Sequence, residues 1–204
     1  MGLLGGSFNP AHAGHRHVAD IVCARLRLDQ VWLMVSPGNP LKPARGMAPM
    51  AERLASARRI ADGRRVVATD IEARLGTRYT VDTLRALRTR FPRARFVWLM
   101  GADNLSQLPR WRRWRRIVTQ VVFAVMPRPT YNHRALAGRA VHALHAARLP
   151  VYAAPALAGL APPRWVFLPV AQNPASATAI RAAATRAAQA GVQDHRPQAA
   201  CPAR

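Results

Sequence analysis

The sequence predicts an α/β protein: a Rossmann-like, doubly wound parallel sheet with helices on both faces. Two observations carry that expectation. Apolar strand-like runs alternate with helix-like segments along the 204 residues, which is the pattern of right-handed βαβ units. A glycine-rich turn also separates the first apolar run from the first helical pattern, where sheets of this kind bind their ligands.

The elements follow in order. Residues 2–5 are a short apolar run ending in glycine. From Gly14 onward, Val18, Ile21, Val22 and Leu26 keep helical spacing. Residues 31–35 are continuously apolar and are closed by the turn Pro37-Gly38-Asn39-Pro40. Residues 48–61 read as a helix, 66–71 as a strand, and 80–90 as a helix ended before Pro92. Residues 96–100 read as a buried strand, and 118–126 as another, stopped by Pro127-Arg128-Pro129. Residues 135–147 read as a helix, 165–169 as a short strand and 177–190 as the last helix. No repeat interrupts this order. One domain is expected over 1–190, with 191–204, polar and proline-containing, as a flexible tail. The first strand begins so close to Met1 that a native start further upstream stays open.

Composition sets limits. No apolar run approaches the 18 or so residues of a membrane span, and the N-terminus lacks the basic start of a signal peptide. Two distant cysteines, Cys23 and Cys201, argue against a disulfide framework, so a cytoplasmic protein is expected. Thirty-one basic residues against nine acidic give a net charge of +22. That excess suits a polyanionic partner, either nucleic acid or a phosphate-rich substrate. Lys42 is the only lysine, and arginine, alanine and proline are abundant together. This is what a GC-rich genome produces, so the charge alone does not select between the two. Apart from residues 110–116, the arginines are dispersed, which favours a phosphate-binding cleft over a nucleic-acid surface.

The most informative stretch is Gly5-Gly6-Ser7-Phe8-Asn9-Pro10-Ala11-His12-Ala13-Gly14-His15. Gly5 and Gly6 let a ligand approach the backbone closely. The helix beginning near Gly14 aims free N–H groups and its positive dipole end at the same space, which favours an anion such as a triphosphate. His12 and His15, three apart, share a face of the first turn and can donate to phosphate oxygens. Two histidines at this spacing also suit a metal, but no carboxylate or cysteine lies near them in sequence. The loop matches neither the P-loop nor the dinucleotide fingerprint. Near the C-terminus, Ser176-Ala177-Thr178-Ala179-Ile180-Arg181 places a capping serine before the last helix and Arg181 within its first turns, a second anion site or simply a capped surface helix.

These two motifs, about 165 residues apart, resemble the paired signatures of the HxGH nucleotidyltransferase superfamily. Three further stretches narrow the resemblance: Pro37-Gly38-Asn39-Pro40-Leu41-Lys42, Tyr79-Thr80-Val81-Asp82-Thr83, and Gly101-Ala102-Asp103-Asn104-Leu105 followed by Trp111-Arg112-Arg113-Trp114. Their order is similar to that in bacterial nicotinate-nucleotide adenylyltransferases, over about residues 2–186. That resemblance implies a Rossmann-like fold and a reaction joining nicotinate mononucleotide to the AMP part of ATP, giving deamido-NAD and pyrophosphate. ATP and nicotinate mononucleotide are the implied partners, with Mg²⁺ carried in on the triphosphate. A homo-oligomer stays open.

Roles follow by residue. His12, His15 and Arg181 are the expected catalytic groups, with His15 on the α-phosphate and the other two on the leaving pyrophosphate. Gly5, Gly6, Ser7, Phe8, Gly14, Gly101, Asp103, Ser176 and Thr178 are expected on the ATP side; a carboxylate at 103, just after a strand, can accept from ribose hydroxyls. Asn39, Lys42, Tyr79, Thr80 and Trp111 are expected on the acceptor side, with Trp111 offering a face for a pyridinium ring. Lys42 as a solvated charge, Thr80 and Asp82 as capping residues, and Trp114 as core are the plainer readings. No protein-held metal is expected. Asn9 stands where many relatives have aspartate, and Ala177 where serine is frequent. Another HxGH adenylyltransferase, using nicotinamide mononucleotide or phosphopantetheine, is the nearest rival. A nucleic-acid-binding protein is the remote one.

Overall fold

The computed structural model describes residues 1–38, 46–171 and 175–193. Seven parallel strands form one sheet: β1 (Gly2–Gly6), β2 (Val31–Val35), β3 (Val66–Thr69), β4 (Val97–Gly101), β5 (Val122–Met126), β6 (Arg148–Leu149) and β7 (Trp165–Phe167), in the order β3-β2-β1-β4-β5-β7-β6. The helices are α1 (Ala13–Arg25), α2 (Met50–Ile60), α3 (Ile71–Arg74), α4 (Thr80–Arg90), α5 (Ala102–Gln107), α6 (Trp114–Gln120), α7 (Asn132–Leu136), α8 (Arg139–Ala143) and α9 (Ala177–Gln193).

Alternation along the strands divides the core in two. Leu3, Trp98, Met100 and Phe123 face one layer, where Leu84 and Leu87 of α4, Leu105 of α5, Ile117 of α6 and Val141 of α8 pack. Leu4, Leu33, Leu99 and Ala124 face the other, against Val22 of α1, Leu26 just after it, and Leu54 and Ala57 of α2. Both faces are covered, as a parallel sheet requires. Chain order reverses between β1 and β4, which pair in register through Gly2 with Val97 and Leu4 with Leu99. The carboxyl ends of these strands frame the crevice where such a fold takes ligands.

The bounds of α4 are those its periodicity gave. Several other expectations are corrected. The strand expected over 66–71 stops at Thr69, because the backbone N–H of Ile71 turns back to Thr69 Oγ1 (3.1 Å) and α3 begins. The strand expected from 118 begins at Val122; Ile117 and Val118 are buried on α6, which reaches Gln120. A short apolar run does not by itself distinguish the two states. The helix expected over 135–147 is broken at Gly138, where a Cβ would meet the carbonyl oxygens of Ala135 and Arg134 at 3.1 and 3.2 Å. The elements α3, α5, β6 and the 3₁₀ stretch Val151–Gly159 were not foreseen. Helix α9 continues to Gln193, three residues beyond the 190 expected.

Candidate active site

The first turn is built from below by α2. Arg53, 3% exposed, sits among Leu54, Ser56 and Ala57 on the buried face of that helix. Its guanidinium donates to three carbonyls from three segments: Ser7 (2.9 Å), Ser36 (2.7 Å) and Ala48 (2.9 Å). No carboxylate pairs with it among the described residues, and burial lowers its pKa. One buried cation thus ties the loop after β1 to the loop after β2. Ser56 Oγ adds a bond from the backbone N–H of Ala11 (3.0 Å). Asn9 uses both ends of its amide, donating to Gly46 O (2.9 Å) and accepting from the N–H of Ala48 (3.2 Å). An aspartate there cannot make the first bond as a carboxylate, which gives the asparagine a physical reason.

Phe8 turns the loop in the left-handed region, φ 47°, a conformation held only where the surroundings fix it. Its buried ring lies against Gly6 and stands 4.8 Å from the ring of His15. Phe8 therefore backs the loop, and Gly5 makes room for the Trp98 ring.

His12 is the N-cap of α1. Its Nδ1 accepts from the N–H of Gly14 at 3.2 Å, and its own backbone N–H donates to Nδ1 of His15 at 3.2 Å. Both Nδ1 atoms are acceptors, so in each neutral ring the proton resides on Nε2. The rings stack obliquely, centroids 3.9 Å apart. Burial, the His12 ring and Arg128 push the pKa of His15 down to about 3. Burial and Arg128 also lower that of His12. The pair is neutral near pH 7 and presents two N–H donors rather than two charges. A Cβ at Gly14 would stand 3.0 Å from the His12 ring, so glycine is what lets the cap close.

His12, Gly14, His15 and Gly101 line one cavity together with Arg128, Pro129 and Ala175. Arg128 follows β5 and was missed in the sequence, although it occupies the turn after a buried strand. It is the one formally charged side chain lining that cavity among the described residues. Asp103, in the first turn of α5, comes within 3.7 Å of Arg128 Nε.

The C-terminal motif is placed beside the loop. Ser176 Oγ accepts from the N–H of Ala179 (3.4 Å) at the start of α9. Arg181 donates to Asn9 O and lies 3.4 Å from Thr178 Oγ1. It lines a second, open cavity of about 630 Å³ with Asn9, Arg53 and Arg59, which shares no lining residue with the cavity of the histidines. On the acceptor side, Trp111 packs edge-on against Trp98, ring centroids 6.4 Å apart. Tyr79 precedes Thr80 at the start of α4, and the Arg112 guanidinium covers its ring at 4.7 Å while reaching Asp82 at 3.9 Å. Asp82 thus pairs charges rather than capping α4. Trp114 packs against the core. Asn39 and Lys42 lie outside the described residues. Among the described residues, no three His, Cys, Asp or Glu side chains converge as a metal would need, and no helix is long and apolar enough to cross a membrane.

Residues 3–183 match the family described as cytidylyltransferase-like. The probable nicotinate-nucleotide adenylyltransferase of Gluconacetobacter diazotrophicus is 63% identical over 186 residues, 91% of this chain and 86% of the relative. That of Gluconobacter oxydans is 60% identical over 181 residues, 89% and 93% of the two chains. The Plasmodium falciparum nicotinic acid mononucleotide adenylyltransferase complexed with NaAD superposes with a TM-score of 0.65 at 15% identity, covering 89% of this chain and 82% of that one, a likeness of fold. The chain belongs to the cytidylyltransferase-like family and, within it, to the nicotinate-nucleotide adenylyltransferases.

Proposed function

We propose that the protein joins nicotinate mononucleotide to the AMP part of ATP, giving deamido-NAD and pyrophosphate. The observation that carries the reading is the mutually capped pair His12 and His15, neutral and presenting Nε2–H donors at the N-terminus of α1, in one cavity with Arg128. The names of the relatives supply the acceptor.

The reaction is an in-line displacement. A 5′-phosphate oxygen of the mononucleotide attacks the α-phosphorus of ATP. The new P–O bond forms as the bond from the α-phosphorus to the bridging oxygen breaks, and the electron pair leaves with pyrophosphate. The nucleophile is already ionised near neutral pH, so no general base is needed. Catalysis is positioning and electrostatic stabilisation. In this reading His15 donates to the α-phosphate, and His12 with Arg181 holds the leaving phosphates. Arg181 reaches them by leaving Asn9 O, an exposed contact. Asp103 accepts from the ribose hydroxyls. Tyr79, Thr80 and Trp111 border the pyridine ring, and the family resemblance assigns Asn39 and Lys42 to the same substrate. Mg²⁺ enters on the triphosphate, neutralising phosphate charge with phosphate and water ligands. A cytoplasmic setting belongs to the same reading.

Positional labelling tests it. With ATP labelled at the α-phosphorus, the label is expected in the dinucleotide; with label at the γ-position, in pyrophosphate. Label from the α-position found in free AMP, with no dinucleotide from folded protein, overturns the reading.

A further inference from the structure

Asp103 and Arg128 make an incomplete pair. They project from the ends of adjacent strands, β4 and β5, which align Gly101 with Met126. Their side chains meet over Gly101, where a Cβ would collide with Asp103 Oδ1 and stand 3.0 Å from Arg128 Nε. Asp103 Oδ1 is buried and has no hydrogen-bond partner among the described residues. Arg128 Nε, at 3.7 Å, compensates its charge but is too distant to donate a hydrogen bond. A buried acceptor left in this state calls for a donor. Arg128 in turn is half exposed and is the formal positive charge lining the cavity of the two neutral histidines.

We infer that ATP binding makes Arg128 change partners: the ribose hydroxyls complete Asp103, and the guanidinium turns from the carboxylate to the phosphates beside His12 and His15. The physical reason is charge. A bare carboxylate beside a triphosphate is repulsive, and Arg128 masks it in the free protein. Two hydroxyl donors then take over that compensation and satisfy Oδ1. Arg128 is half exposed and its Nε stands 3.7 Å from the carboxylate, so this loose contact is cheap for the arginine to leave. Sugar recognition and phosphate binding are thereby coupled through one cation, and a triphosphate lacking the hydroxyls meets an Arg128 still held by Asp103. The role of the cavity rests on the adenylyl-transfer reading; the exchange of partners goes beyond it.

The test is binding without acceptor, so it does not depend on the reaction. Titration calorimetry compares Mg²⁺-ATP with Mg²⁺-2′,3′-dideoxy-ATP in the wild type and in Arg128→Ala. Coupling predicts that the ratio of the two Kd values, large in the wild type, shrinks about 10-fold in the variant, within the usual range for interacting groups. Arg128→Gln, which keeps the stem, should shrink it likewise if the alanine variant is poorly folded. An unchanged ratio with uniformly weaker binding makes Arg128 an independent phosphate contact and overturns the inference. An unchanged ratio with unchanged affinity overturns it as well. Failure of the adenylyl-transfer reading shows separately, as wild-type protein that binds ATP and yields no dinucleotide.

Discussion

The backbone N–H of His12 donates to Nδ1 of His15 at 3.2 Å, so the first histidine of the motif fixes the tautomer of the second. Replacing His15 by alanine removes the Nε2–H donor that the proposed mechanism directs at the α-phosphate. The loss of one such donor lowers kcat by about 10²- to 10³-fold. Steady-state turnover beside a thermal melt checks this, with kcat down and the fold retained.

Burial and the neighbouring Arg128 fix a pH dependence. His15 is held near 3 and takes no proton as pH falls from 8 to 6.5, while burial and Arg128 hold His12 below the ordinary imidazole range. The acid limb of activity should instead follow the acceptor phosphate, whose second pKa is about 6. It appears in kcat/KM for the acceptor. A limb in kcat near 6.5 that vanishes in His12→Asn would contradict the assignment.

Glu72 gives the opposite sign in stability. Its carboxyl is buried in α3, accepts from Thr83 Oγ1 at 3.1 Å, and burial pushes its pKa up to about 7. Folded protein keeps this proton between pH 4.5 and 7, where the unfolded chain has lost it. Its contribution is therefore present below 4.5 and is lost as pH rises through 7. Glu72→Gln should gain stability relative to wild type between pH 5 and pH 8, read from denaturant midpoints at both. An advantage that shrinks over that interval contradicts the burial argument.

Arg53 holds three backbone carbonyls with one buried guanidinium. Arg53→Lys keeps the charge and loses the fork, leaving buried acceptors unmet. A destabilisation of about 2–4 kcal/mol follows, from one to three kcal/mol for each unsatisfied group with partial relaxation. Urea unfolding measures it, and KM for ATP should rise because the loop after β1 loses its anchor.

Gly101 has ordinary backbone angles, φ −78° and ψ 161°, so alanine is conformationally acceptable there. Its Cβ nevertheless collides with Asp103. Gly101→Ala should melt near the wild-type temperature and bind ATP about 10-fold or more weakly, since displacement of one well-placed polar contact is worth that much.

Much of the frame was readable from the chain because local signals and the tertiary structure agree. Helix α4 keeps an apolar stripe of Val81, Leu84 and Leu87 with Pro92 just beyond, so periodicity and breaker give its bounds. His12, Gly14 and His15 lie within four residues of sequence, and the turn between strand and helix brings them together. Arg128 and Arg53 were not visible in the same way. One looks like a residue within a proline turn, and the other like one of thirty arginines. An arginine on the same helical face as Leu54 and Ala57 is a signal, but in an arginine-rich chain it does not stand out. The α6–β5 boundary failed because Ile117 to Met126 is apolar enough for either state.

The most direct test is pyrophosphate release with ATP and Mg²⁺, run in parallel with nicotinate mononucleotide, nicotinamide mononucleotide and phosphopantetheine. The account predicts strong release with the nicotinate compound and little with the other two. Release driven by another acceptor, or by none of the three with folded protein, contradicts it.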